Sequence, residues 1–285
     1  MRSFCFGLLI CAVCHGQATG DGFRFERFDA PSSLRLLKDA KVTNGVLRLV
    51  GARKSQTGAA WAQTAQQVSL GFESSFRFRL TSPAENEYGG ADGFAFVLQT
   101  LGTTAIAGRG AAGGFSLGRG PGNPKTKAIP RSLAIFFDTF KNNEEQELSA
   151  NSIGLFTNAD GVYLPRRLAL NSSAPVNLKD GMEHEVRIVY ERPDLSVFLD
   201  QIAEPVLSAS VDIASVTGSN GLAYVGFTAA TGEGFQNHEI LKWSFRPISS
   251  SVSSSIQFSS EACLPDRTLC TPAKATVTLL SPGRY

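Results

Sequence analysis

Gly90-Ala91-Asp92-Gly93-Phe94-Ala95-Phe96-Val97-Leu98 sets the architecture of this chain. Residues 94–98 are apolar at both parities, so neither face can sit in water, and they read as a central strand covered on both sides. The strand is entered through an Asp-Gly step. Two further stretches share the pattern: Ser132-Leu133-Ala134-Ile135-Phe136-Phe137-Asp138-Thr139-Phe140-Lys141-Asn142 and Ala223-Tyr224-Val225-Gly226-Phe227-Thr228-Ala229-Ala230-Thr231-Gly232. Each is a β-type hydrophobic run that meets a polar or glycine-rich loop.

Working outward, strands continue along most of the chain. Over 70–80, Leu70, Phe72, Phe76, Phe78 and Leu80 alternate with Glu73, Ser75, Arg77 and Arg79, the mark of a half-buried antiparallel strand. Val186, Ile188 and Tyr190 repeat this against Glu185, Arg187 and Glu191. Leu195, Val197 and Leu199 follow Arg192-Pro193-Asp194, so the two segments read as a hairpin. Further strands are expected over 23–28, 46–50, 152–157, 222–227 and 240–245, with Leu241, Trp243 and Phe245 together on a core face. One helical turn is expected over 212–216, capped by Asp212. Many short strands with almost no helix indicate an all-β, antiparallel sandwich or barrel.

Residues 1–18 read as an export signal. Arg2 supplies the positive start, 4–13 the apolar core, and Gly16-Gln17-Ala18 the small residues for cleavage. That run is too short to cross a bilayer and no later run approaches the length, so a secreted protein without membrane insertion is expected. A lipoprotein reading of Cys14 is weaker, because Cys11 stands where a leucine would be needed. Cys5, Cys11 and Cys14 fall in the signal, which leaves Cys263 and Cys270 to close a small disulfide loop in an oxidising compartment. The main domain, 19–247, holds no cysteine and must rest on its core. Residues 248–285 form a Ser-rich linker and a cysteine-containing tail: an extra strand, a disulfide-closed tail, or the start of a further module. A net charge of +2 with 18% charged residues gives no electrostatic reason to expect nucleic acid or anionic membrane as partner.

Two loops stand out. Residues 108–122 carry seven glycines, and 141–150 are polar and acid-rich directly after a buried run. The three opening stretches, in this order, resemble the legume-type (L-type) lectins over roughly residues 21–247. That resemblance implies a jelly-roll β-sandwich whose loops meet at one end to bind a saccharide. It implies Asp92 as the sugar-binding carboxylate, on a cis Ala91–Asp92 peptide, and Asn142 as an amide donor. Gly114, in Gly113-Gly114-Phe115-Ser116-Leu117-Gly118, would add a backbone N–H. Glu233 and Gly234, in the loop before His238-Glu239-Ile240-Leu241-Lys242-Trp243-Ser244-Phe245, would touch ligand. Calcium would bind Asp138, the Phe140 carbonyl, Asn142 and Glu147; these are hard oxygen donors, with Glu144 or Glu145 as substitutes for Glu147 after a small register shift. A bound ion would fix the loop before any sugar arrives.

The chain departs from the plant pattern at two ligands of a second, transition-metal site: Phe136 replaces a Glu and Ser152 a His. That second site is expected to be absent. His184 and His238 read as structural residues, and Asn171-Ser172-Ser173 as a glycosylation sequon that counts only in a eukaryotic host. An enzyme on a similar sandwich would need two carboxylates flanking a cleft. The strand ending at Asp138 offers one, and no nucleophile elbow, metalloprotease helix motif or phosphate loop is present. The readings that remain are a calcium-assisted glycan binder, able to form homo-oligomers, and a degenerate lectin-fold module serving as a protein-interaction or structural domain.

Overall fold

The structure is a computed structural model that describes residues 22–29, 32–83, 88–116, 128–143, 147–158 and 166–248. The export signal, the Ser-rich linker, and Cys263 and Cys270 lie outside these residues. The strands are β1 (Phe23–Phe25), β2 (Leu34–Lys38), β3 (Lys41–Thr43), β4 (Val46–Val50), β5 (Thr57–Ala62) and β6 (Gln66–Gln67). They continue as β7 (Phe72–Thr81), β8 (Gly93–Gln99), β9 (Ser132–Asp138), β10 (Ser152–Asn158) and β11 (Arg166–Asn171). The last are β12 (Glu183–Glu191), β13 (Asp194–Leu199), β14 (Leu207–Ser210), β15 (Leu222–Ala230) and β16 (Asn237–Pro247). The one α-helical segment among the described residues is α1 (Ile213–Thr217), where the Asp212 side chain accepts from the Ser215 N–H as an N-cap.

These strands form two antiparallel sheets. The back sheet runs β14-β13-β12-β7-β16-β4-β3, with β1 beside β16. The front sheet runs β11-β10-β9-β8-β15-β5-β2, with β6 beside β15. Strand β7 alternates buried and half-buried residues along its whole length, as its sequence requires of a sheet with one face in the core. In β8 and β9 every residue is buried. Their second face is covered by the 105–116 loop, which packs Ala105, Ala107 and Phe115 on Trp61, Val97 and Phe136.

Rings fill the space between the sheets. Phe94 stacks on Phe137 at 4.8 Å, Phe76 meets Phe227 edge-on at 5.0 Å, and Phe227 meets Trp243 at 4.7 Å. Offset and edge-on pairs of this kind add about 0.5–1.5 kcal/mol each beyond the area they bury.

Three expectations need correction. Leu241 is half-buried, and Ile240 takes the core position beside Trp243 and Phe245, because the pairing of β16 with β7 slips between Ile240 and Lys242. An inserted residue reverses the parity of everything before it. The strand expected over 23–28 ends at Phe25; Phe28 instead donates its N–H to the Gly45 carbonyl at 2.9 Å. The strand expected from Leu70 begins at Phe72, after Gly71 at φ +140°.

Candidate functional site

Strand register gathers the loops at one end of the front sheet. Ala230 pairs with Gly93, Gly93 with Asp138, and Asp138 with Ser152. The segments 88–92, 139–143, 147–151 and 231–236 therefore adjoin a single row. Gly93 lies at φ +138°, and a Cβ there would stand 2.2 Å from the Phe137 carbonyl oxygen, so the close entry of β8 beside β9 needs glycine. The Ala91–Asp92 peptide is cis. Asp92 is held through its backbone: its N–H donates to the Ala230 carbonyl at 3.2 Å, and its carbonyl accepts the Thr139 N–H at 3.0 Å. The side chain, 5% exposed, lies beside Gly232 and Gly110. A methyl group at those two positions would stand 3.3 and 3.9 Å from Oδ2.

Gly114 lies elsewhere. It is buried against β15, where a Cβ would come 2.9 Å from that of Thr228, and its carbonyl accepts the Ala107 N–H at 2.8 Å. The 3-10 turn Gly110–Ala112 folds the loop so that Gly110, four residues earlier, faces Asp92; its N–H donates to the Thr231 carbonyl at 3.2 Å. Glu233 is exposed and pairs with Lys54 at 2.7 Å, a contact worth little in water. Gly234 is buried, and a Cβ there would meet that of Ala91 at 2.8 Å.

Asp138 ends β9, is 5% exposed, and accepts the Phe140 N–H on Oδ1 at 3.0 Å. Glu147 folds back on the same loop. Its carboxylate accepts the Asn142 main-chain N–H, and its own N–H reaches the Asn142 carbonyl at 3.4 Å. Phe140 and Asn142 are half-buried, while Glu144 and Glu145 lie outside the described residues. Two carboxylates, an amide oxygen and a main-chain carbonyl on one short loop are a donor set that fits calcium. Among the described residues no group of three or more His, Cys, Asp and Glu is gathered, so an ion here would lean on the amide and carbonyl oxygens. Before Asp138 in the chain, Phe136 packs on Phe115 at 5.3 Å, and Phe115 on Phe156 at 6.1 Å; these rings line a cavity together with Asp138, Glu147 and Ser152.

Several residues at this end escaped the reading of the sequence. Lys179 donates from Nζ to the Gly90 carbonyl at 3.0 Å and the Thr139 carbonyl at 2.5 Å. Burial lowers its pKa from the usual lysine value, and the charge of Asp138 offsets part of that shift. Gln236 is fully buried and donates to Thr139 Oγ1 at 2.9 Å, with His238 Nε2 3.2 Å away. Burial pushes the His238 imidazole down to about 3, so it is neutral. Lys179 and Gln236 gave no local signal, because the Gly90 and Thr139 groups they donate to lie 40 to 97 residues away in the chain.

A family model described as the legume lectin domain matches residues 21–260. The chain belongs to the legume lectin family. It is 28% identical over 280 residues to the L-type lectin-domain containing receptor kinase VII.1 of Arabidopsis thaliana; the match covers 90% of this chain but only 39% of that protein. The mannose-specific lectin CML-2 of Centrolobium microchaete is 30% identical over 191 residues, covering 65% of this chain and 71% of its own. Among solved structures, the metal-free form of lectin I-B4 from Griffonia simplicifolia aligns with a TM-score of 0.63 at 25% identity, over 79% of this chain and 98% of that one. The two-sheet lectin fold is thus shared with proteins whose names include a mannose-specific lectin and a lectin-domain receptor kinase, and the chain spans about two fifths of the length of that kinase. No helix among the described residues is long and apolar enough to cross a membrane.

Proposed function

We propose that this legume lectin is a secreted, calcium-assisted glycan binder without catalytic activity. One observation carries the reading: the 3.0 Å bond from the Thr139 N–H to the Asp92 carbonyl, which ties the carboxylate loop to the Asp138–Asn142 loop. The Asp92 carboxylate accepts hydrogen bonds from neighbouring sugar hydroxyls, and the Asn142 amide donates to one of them. Gly110 and Gly232 flank that carboxylate without side chains, so no Cβ stands against Oδ2. Gly114, packed on β15, serves the loop rather than the ligand. Glu233 and Gly234 form the rim, where loop shape selects the sugar. Asp138, the Phe140 carbonyl, Asn142 and Glu147 would hold the calcium ion. When bound, the ion supplies positive charge that fixes the oxygen donors of the loop. No transition-metal site is proposed, since Phe136 offers no donor and its ring is packed on Phe115.

A shallow polar site exchanges bound water for comparable hydrogen bonds, so a single sugar should bind weakly. Avidity then depends on several sites acting together, in a homo-oligomer or on a shared surface. The test is a glycan array probed with the full chain. Binding is expected with calcium, weaker after chelation, and lost in Asp92→Ala and Asn142→Ala. Binding that survives all three changes would overturn this reading in favour of a protein partner.

A further inference from the structure

The loop that precedes β12 has no part in the site so far, yet it sends one charge into it. We propose that Lys179 is a built-in cation that joins the Asp92 loop to the Asp138–Asn142 loop, positioning the sugar-facing groups before any metal binds. The assignment rests on the glycan-binding reading for its purpose, but its geometry stands apart from it.

An ammonium carries three donors and no acceptor. Here two of them close on main-chain carbonyls from separate loops: Gly90, two residues before Asp92, and Thr139, directly after Asp138. Charge-assisted bonds are stronger than neutral ones, and a half-buried setting limits competition from water. Lys179 is half-buried, and no salt bridge is formed with it among the described residues. Its charge is therefore spent on carbonyl oxygens, with the Asp138 carboxylate near enough to act on it through space.

The lysine is presented from a firm base. Upstream, the Leu178 N–H donates to Asn151 Oδ1 at 2.9 Å, while the Asn151 amide donates to the Ala174 and Val176 carbonyls at 3.2 and 2.8 Å. Downstream, His184 sits between Asp180 at 3.1 Å and Asp200 at 3.0 Å and packs on Phe78 at 5.3 Å. Lys179 is thus fixed at the backbone on both sides, which is what a positioning residue requires.

The same charge has a second consequence. A cation that reaches the loop of Asp138 repels a dication bound by that carboxylate. Lys179 should therefore favour the glycan-competent loops and oppose calcium. A residue that merely stabilised the fold would support both.

The experiment compares wild type, Lys179→Met and Lys179→Arg as full chains. In chelator, hydrogen exchange is followed at the amides of Asp92, Thr139 and Phe140, with the middle of β7 as control. Lys179→Met should raise exchange at the loop amides about tenfold or more and leave β7 unchanged, while Lys179→Arg restores much of the protection. Glycan binding in chelator should fall about 10- to 100-fold in Lys179→Met, as expected for lost charged hydrogen bonds. Calcium affinity, read by calorimetry without sugar, should rise by up to about tenfold. Unchanged exchange, or a parallel loss of calcium and glycan binding, overturns the proposal. A wild type that binds no glycan in either condition sinks the lectin reading instead, and the exchange comparison still decides for or against Lys179.

Discussion

Strand β9 ends in Asp138, and the chain after that residue and the chain before it are built in opposite ways. After it, a loop brings the Glu147 carboxylate onto the Asn142 main-chain N–H, and Gln236 and Lys179 donate to Thr139 at the loop's start. Before it, Phe136 packs on Phe115, and Phe115 on Phe156, ring on ring. The loop after Asp138 offers oxygen and charge; the rings offer carbon, although they line a cavity shared with Asp138, Glu147, Ser152 and Arg167. Within one sandwich end, then, a cation can be held where main-chain and amide oxygens are available, and excluded a few residues away. The strand itself is indifferent to the outcome. Alternation sends Phe137 between the sheets and Phe136 under the 105–116 loop, and a change at either position acts on one side alone.

The strongest way to break this contrast is to place charge on the ring side. Phe136→Glu buries a carboxylate among Phe115 and Phe156 and should cost about 3–5 kcal/mol, read by urea denaturation in chelator. Adding Ser152→His places a second donor on the neighbouring strand, since Ser152 pairs with Asp138. That double variant should regain stability only when manganese or zinc is added. If Phe136→Glu alone costs less than about 1 kcal/mol, water already reaches the rings and the contrast is wrong.

A smaller effect sharpens the oxygen side. Glu147→Gln keeps an acceptor but removes one of two carboxylates, so calcium affinity should fall about 10- to 100-fold with little change in melting temperature. Calorimetry with calcium alone measures it. An unchanged affinity would reduce Glu147 to the loop-closing role seen in its bond to the Asn142 N–H.

Most of the sandwich was legible because alternation is a local signal. β7, the β12–β13 hairpin and the Asp212 cap can each be read within a continuous stretch of about seventeen residues or fewer. The loops that meet around Asp92 and Asp138 were expected from the resemblance to legume-type lectins that motifs at strand ends carry. Other features escaped for identifiable reasons. β5 (Thr57–Ala62) is buried throughout and rich in small residues, so it shows no alternation and no β-branching beyond Thr57. A single inserted residue hid the parity of Leu241. Gly110 could not be told from Gly114 until a 3-10 turn set their directions. Lys179 and Gln236 act through tertiary contacts, which no spacing rule encodes.

The least forceful changes come from the two histidines that support the oxygen side. His238 lies beside Gln236, and burial holds its pKa at about 3, below its unfolded value near 6.5. A depressed value means that its contribution is complete above about pH 6.5 and is lost as pH falls toward 3. By pH 5 the loss should be about 2 kcal/mol, and His238→Gln should flatten that slope. His184 runs the other way. Burial pulls its pKa down, but the carboxylates of Asp200 and Asp180 more than reverse this, and the net shift is upward. Its contribution is therefore complete below about pH 6.5 and fades as pH rises through the raised folded value. In His184→Gln the loosening of the 177–184 turn should be present at every pH, whereas in wild type it should grow only on the alkaline side. Hydrogen exchange at the Met182 and Glu185 amides, which donate to Asp180 and Asp200 at 2.8 and 2.9 Å, reads this directly. Exchange in wild type, corrected for the intrinsic pH dependence of the reaction, that stays flat from pH 6 to pH 9 would show that the imidazolium does not hold the turn that presents Lys179.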